Sequence, residues 1–340
     1  MLMDAALLVP GKKAPATLAA SSRFKGYGNE PLHETRILKP ESGPMLDAMK
    51  KAWAECYLVF DSIGEEFIAI DGLSPSRERT LNHQKTYDSF SESLKGHVCS
   101  AKDIEAFSIF LERLQGEEMF STKAGLYLSA LINYSGDAGF VIHTSHLPEP
   151  IHGLGYRNKK NIIVDGDAGY ALGESMESGS IIVKGDTGNH VGSSMKGGSI
   201  TVEGDAMGYL GSGMENGIIS VEGNAGEKAG SWMRCGSISI GGNAGDDIGM
   251  YMTGGKIIVR GAAGYNAGKG MKGGSIIVEG DVEKSAGNGM SGGTLTVGNA
   301  EFVGKNMDGG EIHVLGDLFS LGVLMKRGKI FHKDELVFDK

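Results

Sequence analysis

The chain has 340 residues, with 33 Lys and Arg against 42 Asp and Glu and a formal net charge of −9. That length suits two or more domains, and an acidic balance spread without long runs argues against a nucleic-acid footprint. Glycine is the outlier: 42 of the 55 glycines fall in residues 161–340, while all eight prolines lie at or before Pro150. A collagen-like or disordered half would need proline, so the glycine-rich half is neither.

No apolar run approaches the roughly 18 residues of a membrane span. The start, Met1 to Pro10, carries Asp4 and no basic region, so no secretory signal and no membrane partner are expected. Cys56, Cys99 and Cys235 are too few and too scattered for a disulfide frame or a zinc knuckle. The expected compartment is a reducing cytoplasm.

In chain order, residues 1–43 read as an irregular arm containing Gly26, Tyr27 and Gly28. Met45, Met49, Trp53, Cys56 and Phe60 fall at helical spacing and predict an amphipathic helix, whose end could instead start a strand. Phe67 to Ile70 is a short apolar run that fits a strand, and residues 71–99 are polar with few apolar anchors. Ser100 followed by Asp103 marks a helix start, with Ile104, Phe107, Phe110, Leu111 and Leu114 as its stripe. Residues 121–133 are a further apolar segment, helix or strand. Residues 1–137 therefore predict a small, mostly helical or α+β domain with an irregular arm.

A repeat then takes over. Glycine returns every nineteen residues from Gly166 through Gly185, Gly204, Gly223, Gly242 and Gly261 to Gly280, then at spacing eighteen at Gly298 and Gly316. Methionine keeps the same clock from Met176 to Met290, then Met307 and Met325. Ile162, Ile181, Ile200 and Ile219 open one apolar ladder; Val164, Val183, Val202 and Val221 open a second, two residues on. A third runs from Leu172 to Leu321, and a fifth column is small, from Ala168 through Thr187 and Ala206 to Ala263.

Period-two alternation beside a fixed repeat means strands with one face in and one out. Nineteen residues are too few for a helix, a strand and their turns, but they suit two or three short strands joined by glycine turns. The fold class expected is mainly β, a right-handed parallel β-helix of about nine coils over residues 138–325. Residues 326–340 read as its C-terminal cap, since solenoid ends must cover exposed strand edges. Proline is absent because each strand N–H is needed by the neighbouring coil. The Asp and Asn that follow the first glycine, such as Asp167, Asp186 and Asn224, fit turn positions that bond their own backbone.

The unit from Gly242 to Val259 resembles the GXGXG repeat family, with its G-x-x-G-x-x-x-G pattern. The pattern recurs at Gly166/Gly169/Gly173, Gly185/Gly188/Gly192, Gly223/Gly226/Gly230 and Gly261/Gly264/Gly268, and departs from it at Met207 and Glu283. Bearers of this repeat include the β-helical subunit of formylmethanofuran dehydrogenase, whose rhythm this chain resembles more, and the C-terminal domain of the glutamate synthase large subunit. The resemblance implies a β-helix without chemistry of its own, a scaffold subunit that holds the catalytic subunits of an oxidoreductase or amidotransferase complex. Three alternatives stand beside it: a structural subunit of a split glutamate synthase, a stand-alone enzyme with its site in the N-terminal domain or at the domain junction, and self-association into a homodimer.

Candidate sites are sparse. A dinucleotide loop occurs once between a strand and a helix, whereas these glycines recur without helices. Calcium β-rolls repeat at about nine residues, so the Asp/Asn column reads as turn chemistry. His143, His146 and His152, with Glu149, precede the first regular coil and raise the question of metal, though Pro148 and Pro150 favour a linker. Cys235 replaces a turn glycine, and Cys99 lies near His97 without a third catalytic partner. His190, His313 and His332 recur in no column and read as solvated. No catalytic, cofactor or metal residue is assigned.

Overall fold

The computed structural model of the protein describes residues 44–55, 75–95, 98–117 and 119–340, all within one compact unit, Leu38–Lys340. The arm of residues 1–43, the expected helix end through Cys56 and Phe60, and the run Phe67 to Ile70 lie outside the described residues.

Four helices precede the sheet among the described residues. Helix α1 (Pro44–Glu55) buries Leu46, Met49 and Trp53. Helix α2 (Pro75–Ser93) corrects the reading of residues 71–99 as poorly anchored. Its apolar anchors among the described side chains are Tyr87 and Phe90, followed by Leu94; all three are buried, and His83, Thr86 and Ser91 are buried polar residues that a search for an apolar stripe passes over. Helix α3 (Ala101–Phe110) starts as expected: Ser100 caps the Asp103 N–H while the Asp103 carboxylate accepts from the Ser100 N–H. Residues 121–133 are helical, within α4 (Phe120–Tyr134). That helix is buried on nearly every face, which is why its apolar pattern shows no clean period. Trp53 joins the layers, edge-on to Tyr127 at 5.6 Å and donating from Nε1 to Glu117 at 3.0 Å.

The remainder is a parallel β-solenoid of about ten turns. Its strands are β1 (Gly139–His143), β2 (Asn161–Asp165), β3 (Ser180–Val183), β4 (Ser199–Val202), β5 (Ile218–Val221), β6 (Ser237–Ile240), β7 (Lys256–Val259), β8 (Ser275–Val278), β9 (Ser291–Val297), β10 (Asp308–Val314), β11 (Arg327–His332) and β12 (Glu335–Asp339). They form one twelve-stranded sheet in sequence order. Neighbours pair in parallel through β11, each residue over its equivalent, as in Ile181 over Ile162 and Val183 over Val164. Among the described strands only β12 runs antiparallel, folding back along β11.

Each regular coil spends four residues on strand, and burial alternates along them: Ile181 and Val183 are inside, Ser180 and Ile182 half-buried. The other sides of the coil are tighter than the two or three short strands expected. One side is a single-residue bridge column, Ala168 to Thr187 to Ala206 and onward. The last side is a turn in which three alternate residues adopt positive φ, as at Lys228 (60°), Gly230 (68°) and Trp232 (56°). The hydrogen bonds explain the alternation. Lys228 N–H reaches forward to Asp246 O at 2.7 Å, Gly230 N–H back to Leu210 O at 2.7 Å, and Trp232 N–H forward to Met250 O at 2.8 Å. Peptides that must point alternately up and down the stack while the chain curls need this backbone, and they leave both neighbouring coils bonded.

The Asp/Asn column does not bond its own backbone, as expected from turn chemistry, but the next coil. Asp186 N–H donates to Asp167 Oδ1 at 2.8 Å, Asn224 N–H to Asp205 Oδ1 at 2.7 Å, and Ala262 N–H to Asn243 Oδ1 at 2.8 Å. Turn statistics mislead here because the stacked coil supplies a donor that an isolated turn lacks. Ala262 interrupts the ladder and offers no acceptor to Asp281. Ala262→Asn is expected to raise stability by about 0.5–1 kcal/mol, read as a higher urea midpoint at unchanged m-value. A lower midpoint would show that this column does not act through its side-chain acceptors.

Candidate functional site

Among the described residues, a buried polar cluster lies where the helices meet the first regular coil. Segment 151–153 is clasped between α4 and that coil by backbone bonds: His152 N–H to Ser121 O (2.9 Å), Gly153 N–H to Tyr170 O (2.9 Å) and Gly169 N–H to Ile151 O (2.8 Å). Two glycines make the clasp possible. A Cβ on Gly125 would sit 1.9 Å from His152 O, and one on Gly169 would sit 1.9 Å from His152 Nδ1. Ser129 Oγ, buried in α4, accepts from Gly155 N–H at 2.8 Å and from Tyr156 N–H at 3.2 Å.

Above this clasp, His83 of α2 meets Glu174 of the first coil, Nδ1 to Oε2 at 2.7 Å. Both are buried, at 3 % and 4 % exposure. The His83 ring stacks on Tyr170 at 6.2 Å and stands edge-on to Tyr156 at 6.1 Å. Tyr170 Oη bonds Thr122 of α4 at 3.1 Å, and its ring lies 4.0 Å from that of His152. Burial, with a smaller contribution from His83, pushes His152 down from its ordinary 6.5 to about 4. The geometry agrees: Tyr170 N–H donates to His152 Nδ1 at 3.3 Å, which requires that nitrogen to be unprotonated. Burial likewise pushes the Tyr156 phenol up.

That depression fixes a pH dependence. The folded state binds fewer protons than the unfolded chain between the two pKa values, so the stability from neutral His152 is complete above about pH 6.5 and is lost as pH falls towards 4. The loss reaches up to about 3 kcal/mol at the acid end. His152→Gln keeps an acceptor for Tyr170 N–H but does not titrate, so its melting temperature is expected to change less between pH 7 and pH 4. Parallel profiles for the two proteins would rule His152 out as the cause.

Tyr170 also borders a surface cleft of about 530 Å³, lined by Tyr170, Asn189, His190, Tyr209 and Glu227. Its far wall is a stack: His190 lies 4.7 Å from Tyr209 at 18°, and Lys228 Nζ bonds Tyr209 Oη at 2.7 Å. That hydroxyl is the main reason Lys228 is held above the usual lysine range.

The histidines singled out in the sequence take separate places. His143 bridges two carboxylates, Nδ1 to Asp165 at 2.9 Å and Nε2 to Glu105 of α3 at 3.1 Å. His152 packs on Tyr170, and the buried His146 Nε2 has no hydrogen-bond partner among the described residues. Among the described residues, no three His, Cys, Asp or Glu side chains are grouped to hold a metal ion. His190, His313 and His332 are not simply solvated. His313 stacks on Phe331 at 4.6 Å and 7°, and His332 Nε2 bonds Gly316 O at 3.0 Å, because each sits over its neighbour in the adjoining coil. Cys99 is buried beside Met45, and burial raises its thiol to about 11, while Cys235 is exposed. His97 lies outside the described residues. The His83–Glu174 pair was not legible, since nothing in the sequence links positions 91 residues apart.

The three glycines of each coil have distinct duties. In the coil from Gly185, a Cβ on the first glycine would meet Asp167 Oδ1 at 2.0 Å, one on Gly188 would meet Tyr170 N at 2.7 Å, and one on Gly192 would meet Ile219 Cδ1 at 2.5 Å. The first leaves room for the Asp ladder, the second for the backbone of the coil below, and the third for the strand of the coil above.

Residues 161–281 match the GXGXG motif family. The match starts at the head of β2 and ends just past β8, so it spans the coils of regular spacing and stops where the repeat shortens to eighteen. Curated proteins give no match to the chain. No described helix is long and apolar enough to cross a membrane. The GXGXG coils supply one wall of the junction, through Tyr170 and Glu174, and the helices supply the other.

Proposed function

We propose that the GXGXG solenoid is a non-catalytic structural module of a cytoplasmic oxidoreductase or amidotransferase assembly, holding catalytic subunits in place. The observation that carries this reading is the GXGXG match over residues 161–281. It is supported by where the repeat's recurring residues go: glycines to close packing, Asp and Asn to the next coil's N–H groups, and Ile, Val and Met to the interior. A protein like the β-helical part of formylmethanofuran dehydrogenase would co-purify with amidohydrolase and molybdopterin subunits; a split glutamate synthase component, with glutaminase and flavin subunits. Affinity purification of the tagged chain from its native source, followed by mass spectrometry, is expected to return one of these sets in stoichiometric amount. Recovery of the chain without either set, at every salt concentration, would overturn the scaffold reading.

A second reading, an enzyme with its site at the junction, is favoured by the cleft beside Tyr170 and the buried His83–Glu174 pair. Turnover by the purified chain alone, abolished by Tyr209→Ala with folding intact, would select it over the first.

A further inference from the structure

The last full coil departs from every coil before it. At the column of Lys184, Glu203, Glu222, Gly241, Arg260 and Glu279 it places Leu315, and at the column that runs from Gly169 and Gly188 through Met207, Gly226, Gly245 and Gly264 to Glu283 and Glu301 it places Phe319. At the column of Ser231, Met250, Lys269, Asn288 and Lys305 it places Val323, and at the column of Trp232, Tyr251, Gly270, Gly289 and Asn306 it places Leu324. These four side chains stand 54 %, 71 %, 63 % and 73 % exposed. Leu321, expected inside with the third ladder, is 36 % exposed, bridged to Val303 of the coil before it. A solenoid end that faces water is usually polar; earlier coils set single apolar side chains in these columns, such as Trp232 and Tyr251, but the last coil fills all four with exposed apolar residues.

The backbone there is also open. In the preceding coil Ala300, Val303 and Asn306 donate forward to Asp317 O (3.0 Å), Ser320 O (3.1 Å) and Val323 O (3.0 Å). Their equivalents Leu318, Leu321 and Leu324 have no such backbone acceptor among the described residues. The β11–β12 hairpin continues the strand side of the stack, with Leu336 and Val337 exposed at 50 % and 42 %.

We propose that this end is a homodimer interface, in which two copies meet last coil to last coil about a twofold axis, each hairpin standing beside the bare sides of the other. Four observations select a second copy. The opposite end of the stack is closed by packed helices and by the buried Ile151 and Leu154, so head-to-tail addition has no free face and a closed isologous pair is the remaining geometry. Residues 315–340 hold five Lys and Arg against four Asp and Glu in a chain of net charge −9, so two such ends meet without the repulsion the rest of the surface would bring. The exposed Leu315, Phe319, Val323, Leu324 and Leu336 would form the apolar centre of such a contact, where a standard stable interface buries ~800 Å² per partner. Open N–H and C=O groups on one edge are matched by the same groups of a copy turned by the twofold axis, as in any antiparallel pair. The inference does not depend on which assembly the protein serves.

Sedimentation velocity of the full chain between about 1 and 100 µM tests it. The expected result is a dimer for the unaltered protein and a monomer for the Phe319→Asp/Leu324→Asp double variant, with the dissociation constant raised at least ~100-fold and the circular dichroism unchanged. Leu324→Asn, which copies Asn306 in the same column and suits its positive φ of 61°, is the milder variant should the double one fold poorly; it is expected to weaken the dimer by about tenfold. Trp232→Asp, on the side of the stack, is expected to leave the dimer intact. An unaltered protein that stays monomeric to 100 µM, whether or not another protein later covers this end, would overturn the proposal. So would a dimer that survives the double variant.

Discussion

Gly249→Ala is expected to cost about 2–5 kcal/mol, while Gly268→Ala, one coil on, costs about 1–2 kcal/mol. Both glycines sit at positive φ, 62° and 71°, so both substitutions meet the same left-handed strain. That strain alone does not explain why the column from Gly173 to Gly304 is glycine in every coil. Two residues to either side the chain also has positive φ, yet carries Ala171, His190, Tyr209 and Lys228 on one flank and Ser175, Trp232 and Tyr251 on the other. The difference is what a Cβ would touch. At Gly249 it would lie 2.3 Å from Ile276 Cδ1 and 3.2 Å from its Cγ1, in the strand of the next coil. At Gly268 the facing residue is Leu295, whose branch lies one carbon further out, and the nearest atom is at 3.4 Å. The gap between the two variants therefore isolates overpacking from backbone strain. Urea unfolding of both would measure it; equal losses would mean that φ, not the neighbouring isoleucine, keeps the column glycine. Because each coil contacts only its neighbours, the Gly249 variant should also show faster amide exchange in β7 and β8 before the stack melts.

That column shows how far the sequence could be read. A period of nineteen, two aliphatic ladders two residues apart and a methionine clock leave a stacked coil as the one consistent arrangement, and the strands appear where Ile and Val alternate. What periodicity could not supply was the direction of hydrogen bonds. The Asp/Asn column looked local because single-turn chemistry is local, whereas the acceptor's partner lies nineteen residues away. Helix α2 was missed because Tyr87, Phe90 and Leu94 are too few apolar residues for a stripe, while its other buried side chains, His83, Thr86 and Ser91, are polar. The junction cluster joins α2, α4, the 151–153 segment and the first coil, and long-range polar pairing leaves no local signature. The bare last coil was half legible. The run Leu315 to Leu324 is visibly rich in apolar residues, but only the register shows which of them face out of the coil.

Glu174→Ala is expected to cost about 3–5 kcal/mol and to release the helical region from the solenoid. Glu174 and His83 are both buried and joined by a 2.7 Å hydrogen bond, so truncating the carboxylate strands a buried imidazole among Tyr156 and Tyr170. Removing one member of such a pair costs more than the pair contributes, because the survivor keeps its desolvation penalty. Glu174→Gln retains an acceptor for the ring and is expected to lose only about 1–2 kcal/mol. The location of the loss matters as much as its size. Glu174 sits in a turn whose backbone is held by its neighbours, Arg157 N–H on Glu174 O at 3.0 Å and Ser175 N–H on Ser193 O at 2.9 Å, so the coil survives the change. Among the described side chains, α2 is otherwise held by the buried Thr86, Tyr87, Phe90 and Ser91, with Leu94 just past its end. Hydrogen exchange should therefore rise across residues 83–95 of the Ala variant while β3 to β8 keep their protection. Uniform loss of protection through the solenoid would show instead that the pair nucleates the stack. No change in either region would show that the His83–Glu174 contact does not hold the helices to the coils.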